Sequence, residues 1–241
     1  MTASPVQVSP LVRFAPRFVG PFPGWTNGGV IAGTLADRLG AGWHHAVSVR
    51  IERPVPLSSG LQAEASAGRV VLRGGEGILA TAQLVDDPPL SPVPIPVEAA
   101  RATAPVLEPA SHPAPGCFVC GPSHPDGLNL QPGTVAGHEA VATVWEPAVD
   151  LASPDGTLPP PVVWAALDCP SWYGATRGRA ALLGAMHGRQ FRPLPAGQPV
   201  VVTGWGDGRQ GRKSFAGAAL HTPGGELIAA AASIWIHPRG A

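Results

Sequence analysis

The chain has few charged residues and no long hydrophobic run. Asp, Glu, Lys and Arg make up 13% of its 241 residues, the formal net charge is zero, and Lys213 is the only lysine. Without a basic block, the sequence lacks the electrostatic footprint of a nucleic-acid-binding protein. No apolar run reaches the roughly 18 residues of a membrane-spanning helix, and the N-terminus lacks the charged and apolar regions of a signal peptide. We therefore expect a cytoplasmic protein that neither binds nucleic acid nor spans a membrane.

Cysteine is scarce as well. Three cysteines, an odd number, argue against a disulfide framework and favour a reducing compartment. Cys117 and Cys120 form a C-x-x-C pair, for which His112, His124 and Cys169 are conceivable further zinc ligands. A second C-x-x-C or an H-x-x-x-H is missing, and no βαβ pattern surrounds the pair as it does in redox proteins. We therefore expect no metal or other cofactor, and interpret the pair as small buried thiols in a turn.

Glycine and proline are abundant instead, with 31 Gly and 30 Pro, which predicts many turns between apolar segments. After an N-terminus expected to be frayed up to Ser9, the pattern predicts a strand, a helix capped by Asn27, and about four strands. The same order returns later in the chain, which indicates an internal duplication. We predict an N-terminal half at residues 1–90, a semi-rigid Pro-rich linker at 91–115, and a C-terminal half at 116–241.

Each half supplies one apolar helix and about five antiparallel strands. Such a helix is buried only if the sheet curls round it, and two such units hide an open edge by pairing edge to edge. The fold class predicted from the pattern is therefore α+β, with two similar halves.

Asp168 is the most unusual residue, because it lies in the apolar helical segment LPPPVVWAALDCPSWYGA, residues 158–175. An ionised carboxylate is costly to bury unless it is hydrogen-bonded, so it needs a reason. One reason is chemistry. The other is structural, because Pro170 ends or kinks a helix and the carboxylate would then satisfy the freed backbone groups.

Several short motifs resemble those of a known family. CFVCGPSHPDGLNL at 117–130 resembles the Cys-rich segment of some thioesterase-like hotdog proteins, and TNGGVIAGTLAD at 26–37 resembles their His-Gly-Gly helix start. RPVPL at 53–57 and RPLPAG at 192–197 resemble the turn after the following strand. The chain thus resembles the double-hotdog acyl-CoA thioesterases over nearly its whole length. The resemblance implies a tandem (double) hotdog fold, a long central helix wrapped by a curved antiparallel sheet in each half, and hydrolysis of an acyl-CoA or acyl-carrier thioester.

In such proteins the thioester lies between two units, with backbone N–H groups at one helix start and an acid from the other helix. Carried over, the resemblance implies one site that combines Asn27, Gly28 and Gly29 with Asp168. The first helix start keeps two glycines, and the positive helix end favours a developing oxyanion. Asn27 stands where the family has histidine.

The resemblance also implies a second, unequal site, made of prolines 159–161 with Ala36 or Asp37. The family's acid, nine residues after its histidine, would fall on Ala36, and Asp37 is turned by about 100° on a helix. Proline has no N–H to offer an oxyanion, so we expect this second site to be inactive.

The sequence leaves the chemistry of the first site open. Asp168 either activates water as a general base or attacks the thioester carbon itself. Ser171 and Trp172, about one helical turn on, are expected to contact the substrate or its water. The alternative function is non-catalytic binding of acyl-CoA or lipid. A hydratase is a third option, but the Asp-x-x-x-x-His pair expected of hotdog hydratases is not apparent in the sequence. A homodimer of the double unit is a further expectation.

Overall fold

A computed structural model describes residues 10–57, 60–75, 77–86 and 92–239. The N-terminus expected to be frayed and the expected boundary after residue 90 lie outside the described residues. Three α-helices occur in the described part: α1, Gly28–Arg38; α2, Val97–Arg101; and α3, Pro160–Thr176. The strands are β1, Leu11–Val12; β2, Ala46–Ile51; β3, Leu61–Ser66; β4, Arg69–Gly74; β5, Gly77–Val85; β6, Gly133–Thr134; β7, Ala140–Trp145; β8, Leu182–Gln190; β9, Val200–Gln210; β10, Lys213–His221; and β11, Leu227–Ile236. The predicted helices and the main predicted strands are confirmed.

All these strands belong to one antiparallel sheet of 11 strands in the order β1-β3-β4-β5-β2-β8-β11-β10-β9-β7-β6. Strands β2 and β8 meet at its centre, where Val47 pairs with Gly188 and Val49 with Met186. Outward from β2 the order is β5, β4, β3, β1, and outward from β8 it is β11, β10, β9, β7, β6. The strands of the early part of the chain therefore form one half of the sheet, and those of the later part form the other.

Helices α1 and α3 pack on each other and on this sheet. Helix α1 contacts β2, β4 and β5, helix α3 contacts β7, β9, β10 and β11, and both touch β8. The two helices approach closely because α1 presents glycine to its neighbour. A Cβ on Gly29 would lie 2.6 Å from the Trp164 carbonyl oxygen, and one on Gly33 would lie 2.4 Å from that of Pro160. Real Cβ atoms do not approach so closely, so these two positions require glycine.

Helix α3 is buried along most of its length, from Val162 to Gly174, and it continues six residues beyond Pro170. The proline therefore does not end the helix. Glycine on β9 makes this packing feasible, because a Cβ on Gly204 would lie 1.9 Å from the Pro170 carbonyl oxygen. The buried Ser171 hydroxyl donates to the Asp168 carbonyl oxygen at 2.7 Å. This backbone acceptor, within the turn that contains Pro170, is therefore hydrogen-bonded.

The segment expected to be a linker has structure of its own. It contains α2, and the hydroxyl of Thr103 donates to the Ala142 carbonyl oxygen on β7 at 2.9 Å. Ile95 and Ala100 are buried against Val201 and Ala142 in a small second core. None of the described helices is long and apolar enough to cross a membrane.

Candidate active site between α1 and α3

The start of α1 is held by Asn27, whose backbone is extended and whose side chain caps the helix. Its Oδ1 accepts a 3.0 Å hydrogen bond from the Val30 N–H, as an N-cap residue does. The Asn27 N–H donates to the Phe18 carbonyl oxygen, and the Thr26 N–H to that of Val55. Contacts with two other segments thus fix the direction in which α1 begins.

The carboxylate of Asp168, from α3, lies directly against this helix start. The Asn27 Nδ2 donates to Asp168 Oδ2 at 2.8 Å, and the Gly29 N–H donates to the same oxygen at 2.9 Å. The structure therefore brings Asp168 into contact with Asn27 and Gly29, as expected for the first site. The carboxylate binds across to α1 and does not satisfy backbone groups near Pro170, which was the structural alternative.

The second oxygen, Oδ1, is buried, and none of the described residues hydrogen-bonds it. Asp168 itself is 2% exposed. Burial, together with nearby Cys117, raises the pKa of Asp168 to about 7, although the hydrogen bonds from Gly29 and Asn27 act in the opposite direction. The desolvation of the carboxylate thus outweighs its hydrogen bonds, and one oxygen remains free to accept a proton.

The remaining donor at this helix start is the Gly28 N–H. Gly29, Val30 and Ile31 donate to Asp168, to the Asn27 side chain and to the Asn27 carbonyl, whereas the described residues offer the Gly28 N–H no acceptor. A Cβ on Gly28 would lie 2.8 Å from Leu183 and 3.5 Å from Asp168 Oδ2. Gly28, not Gly29, is therefore the glycine whose N–H is available to a ligand.

These groups open into a cavity of about 490 Å³, a size typical of small-molecule sites. Asn27, Gly28 and Asp168 form part of its wall, next to three cysteines. Most of the remaining wall is apolar, and Glu52, Arg53, Arg212 and His237 also border the cavity. The apolar lining includes Phe22, Trp25, Ile31, Ile51, Val55, Trp172, Leu182, Leu183, Trp235 and Ile236.

The two residues expected to contact the substrate are placed differently. Trp172 lines the cavity, and its Nε1 donates to the Arg179 carbonyl oxygen at 2.9 Å. Ser171 is fully buried and does not line the cavity; it accepts a 2.9 Å hydrogen bond from Trp235 Nε1 and donates to the Asp168 backbone. Ser171 therefore holds the helix at Asp168 in place and does not position a water in the cavity.

A second cavity, of about 400 Å³, lies near the opposite ends of the two helices. It is lined by Pro159 and Pro160 and by Ala36 and Asp37, which were expected to form the second, inactive site; Pro161, expected with them, does not line it. The N-terminus of α3 has no side-chain cap there, and prolines occupy its first positions. Burial raises the pKa of Asp37, partly opposed by Arg38.

The three cysteines lie at the first cavity, a position that the sequence pattern did not predict. Cys117 and Cys120 lie in a turn, Cys169 follows Asp168 on α3, and all three are buried in its wall. The two histidines considered with them are bound elsewhere. His112 contacts the Tyr173 hydroxyl at 2.9 Å, and His124 contacts the Arg17 carbonyl oxygen at 2.8 Å. The C-x-x-C spacing was the signal, but the position of Cys169 in space could not be derived from it.

Comparison with known proteins finds similarity in structure and not in sequence. No protein-family model and no curated protein matches the chain. A solved thioesterase candidate from Novosphingobium aromaticivorans is 15% identical, with a TM-score of 0.61 over 96% of this chain and 99% of that one. The acyl-CoA thioesterase II TesB2 of Mycobacterium marinum is 14% identical, with a TM-score of 0.55 over 88% of this chain and 91% of that one.

A protein of unknown function with the hotdog fold, from Alicyclobacillus acidocaldarius, is 10% identical. Its TM-score is 0.56, over 96% of this chain and 92% of that one. These similarities establish an α+β fold of the hotdog class over most of the chain. The resemblance to hotdog thioesterases that the sequence predicts is thus confirmed for the fold.

Proposed function

We propose that this protein is a double-hotdog thioesterase that hydrolyses an acyl-CoA or acyl-carrier thioester between its two halves. The observation that carries the proposal is the position of Asp168, a buried acid from α3 held by the start of α1 at a largely apolar cavity. The solved relatives named thioesterases support the reaction class.

The sheet order supports an internal duplication of one unit. The two halves of the sheet meet where β2 pairs with β8, and in each half this strand directly follows the long helix: β2 follows α1, and β8 follows α3. Outward from β2 come β5, β4 and β3, and outward from β8 come β11, β10 and β9. On both sides these are the fourth, third and second strands after the long helix, so the two halves of the sheet have the same strand order. We infer that residues up to about 90 and from about 116 each form one hotdog unit, joined by the segment that contains α2.

In the proposed reaction the thioester carbonyl oxygen accepts the Gly28 N–H at the positive end of α1. Asp168 acts as general base, while Asn27 and Gly29 hold its Oδ2 in place. The water oxygen attacks the carbonyl carbon and a water proton passes to the Asp168 carboxylate, which gives a tetrahedral oxyanion stabilised by the helix start. The carbon–sulfur bond then breaks, and the proton moves from Asp168 to the leaving thiolate.

One observation favours the non-catalytic alternative. The Gly29 N–H already binds Asp168, so the helix start offers an oxyanion a single backbone donor in place of two. If one donor does not stabilise the oxyanion enough for hydrolysis, the protein would bind the acyl thioester in the cavity without cleaving it.

The test compares wild type with Asp168→Asn on acyl-CoA esters of increasing length, with detection of the free thiol. Asparagine can still accept the hydrogen bonds of Asn27 and Gly29 but cannot take up a proton, so we expect turnover to fall by about 10²- to 10⁴-fold. Asp37→Asn makes the same change at the second cavity and should leave turnover unchanged.

Equal turnover of Asp168→Asn and wild type on a good substrate would remove the proposed role of Asp168. A wild type that binds acyl-CoA by calorimetry without releasing thiol would instead identify the binding protein.

A further inference from the structure

Three cysteine sulfurs converge in the wall of the first cavity. The Sγ atoms of Cys117, Cys120 and Cys169 all lie within 4.8 Å of one another, and those of Cys117 and Cys169 are 3.9 Å apart. Thiolates that bind zinc at about 2.3 Å in tetrahedral geometry lie roughly 3.8 Å apart. The spacing thus fits three sulfur ligands around one ion, and it is far longer than the roughly 2.05 Å of a disulfide.

The turn that carries two of these sulfurs is tightly closed by its own backbone. The turn closes through the Gly121 N–H, which donates to the Cys117 carbonyl oxygen at 2.8 Å. A Cβ at position 121 would lie 2.4 Å from the Cys117 nitrogen, so only glycine fits after the second cysteine. The closed turn thus fixes how far apart the Cys117 and Cys120 side chains lie.

All three cysteines are buried, so ionising them together would place three negative charges in a largely apolar wall. The nearest carboxylate, Asp168, adds negative charge on the same wall. Divalent zinc would neutralise most of the charge of three thiolates and would offset the cost of burying them.

A fourth ligand would come from the cavity. Among the described residues, no histidine, carboxylate or further cysteine joins the three-sulfur group. His112 and His124 are held by Tyr173 and by the Arg17 carbonyl, and all three cysteines line the cavity. Three protein ligands and one exchangeable position are the arrangement of zinc sites that bind a ligand, not of closed structural sites.

We propose that Cys117, Cys120 and Cys169 bind one Zn²⁺ ion whose fourth coordination position faces the cavity. The site does not depend on the proposed hydrolysis, because its evidence is the geometry of the sulfurs. It changes the expectation from sequence alone, in which the C-x-x-C pair lacked further ligands: the third thiol comes from α3, 49 residues after Cys120.

The test measures metal on the full chain purified under reducing conditions without chelator. We expect one zinc ion per chain by elemental analysis. After chelation, cobalt(II) should restore one equivalent, with a sulfur-to-cobalt charge-transfer band in the near ultraviolet and visible bands of tetrahedral cobalt. Cys169→Ser should lose stoichiometric binding while Asp168→Asn retains it, which separates the metal site from the hydrolytic role of Asp168.

The wild-type measurements alone can overturn the proposal, whether or not a cysteine variant folds. If folded wild type carries no zinc as purified and neither zinc nor cobalt binds stoichiometrically, the three cysteines are packed thiols only. A cobalt spectrum without sulfur charge transfer, or full binding by Cys169→Ser, would likewise contradict the assignment.

Discussion

The Gly29 N–H donates a 2.9 Å hydrogen bond to the Asp168 carboxylate, across 139 residues of sequence. The two residues also meet sterically, because a Cβ on Gly29 would lie 2.7 Å from the Asp168 Cβ. The glycine therefore serves two needs at one point: it lets α1 and α3 approach, and it brings a donor to the buried acid. Any change that separates the helices there also weakens the support of the carboxylate.

Substitutions of Asn27 should separate its two contacts. Asn27→Ala removes both the cap of α1 and the bond to Asp168, and we expect it to lower the free energy of unfolding by about 1 to 3 kcal/mol. Asn27→Ser keeps a capping hydroxyl but cannot reach Asp168, so it should recover much of the stability and little of any thioester hydrolysis. Chemical denaturation and thiol-release assays measure the two effects. Equal activity of Asn27→Ser and wild type would show that the bond to Asp168 is dispensable.

The contact between the helices predicts that alanine is not tolerated on one face of α1. Gly29→Ala and Gly33→Ala would force a Cβ against the backbone of α3, so each should destabilise the fold by about 1 to 3 kcal/mol, despite the higher helix propensity of alanine. Gly60→Ala is the matched control, because a Cβ there meets nothing within 4 Å. Urea denaturation gives the three values. Stabilisation by Gly33→Ala would contradict the close packing.

Arg53 is exposed and borders the first cavity, so under the proposed function we expect it to contact the phosphates of coenzyme A. We expect Arg53→Gln to raise KM for an acyl-CoA by about 3- to 10-fold, because a charge-assisted contact is lost. The KM for the matching acyl-pantetheine, which lacks the nucleotide phosphates, should not change. Arg101→Gln on α2 is a control, since Arg101 pairs with Glu98 outside the cavity. An equal rise in KM for both substrates would place the phosphates elsewhere.

The buried His221 on β10 predicts a loss of stability in mild acid. Burial lowers its pKa from the ordinary value of 6.5, partly opposed by a hydrogen bond to the Pro92 backbone. The unfolded chain therefore binds the proton first, and the free energy of unfolding falls as the pH drops below about 6.5 towards the folded pKa. Denaturation at pH 7.5 and pH 5.5 should show a smaller difference for His221→Gln than for wild type. The exposed His138→Gln should behave as wild type, and an unchanged pH dependence in His221→Gln would exclude this role.

Much of the fold follows from local pattern. The alternating segments predict the main strands, and Asn27 predicts the start of α1, because side-chain periodicity and helix caps are properties of neighbouring residues. The pairing of a helix start with an acid from the other helix was also predicted, through the resemblance to hotdog proteins. What local pattern could not decide is how each group is used. Ser171 turned out to bind the Asp168 backbone, and the Gly29 N–H to bind the carboxylate itself.

The effect of Pro170 shows the same limit. Proline weakens a helix locally, so sequence analysis allowed α3 to end or bend there. In the structure the helix continues to Thr176 because its surface is buried against a sheet in which Gly204 leaves room for the Pro170 carbonyl oxygen. Tertiary packing thus outweighs the local preference.

The sequence by itself determined the elements, their order and the residues able to do chemistry, because these depend on composition and short-range spacing. The resemblance paired Asp168 with the start of α1, but only the tertiary structure decided the geometry of that pairing and the other contacts. It placed Cys169 beside Cys117 and Cys120, left the Gly28 N–H available to a ligand, and bound the Gly29 N–H to the Asp168 carboxylate. Contacts between residues tens of positions apart depend on how the two helices pack over one continuous sheet, and that packing is a property of the whole chain.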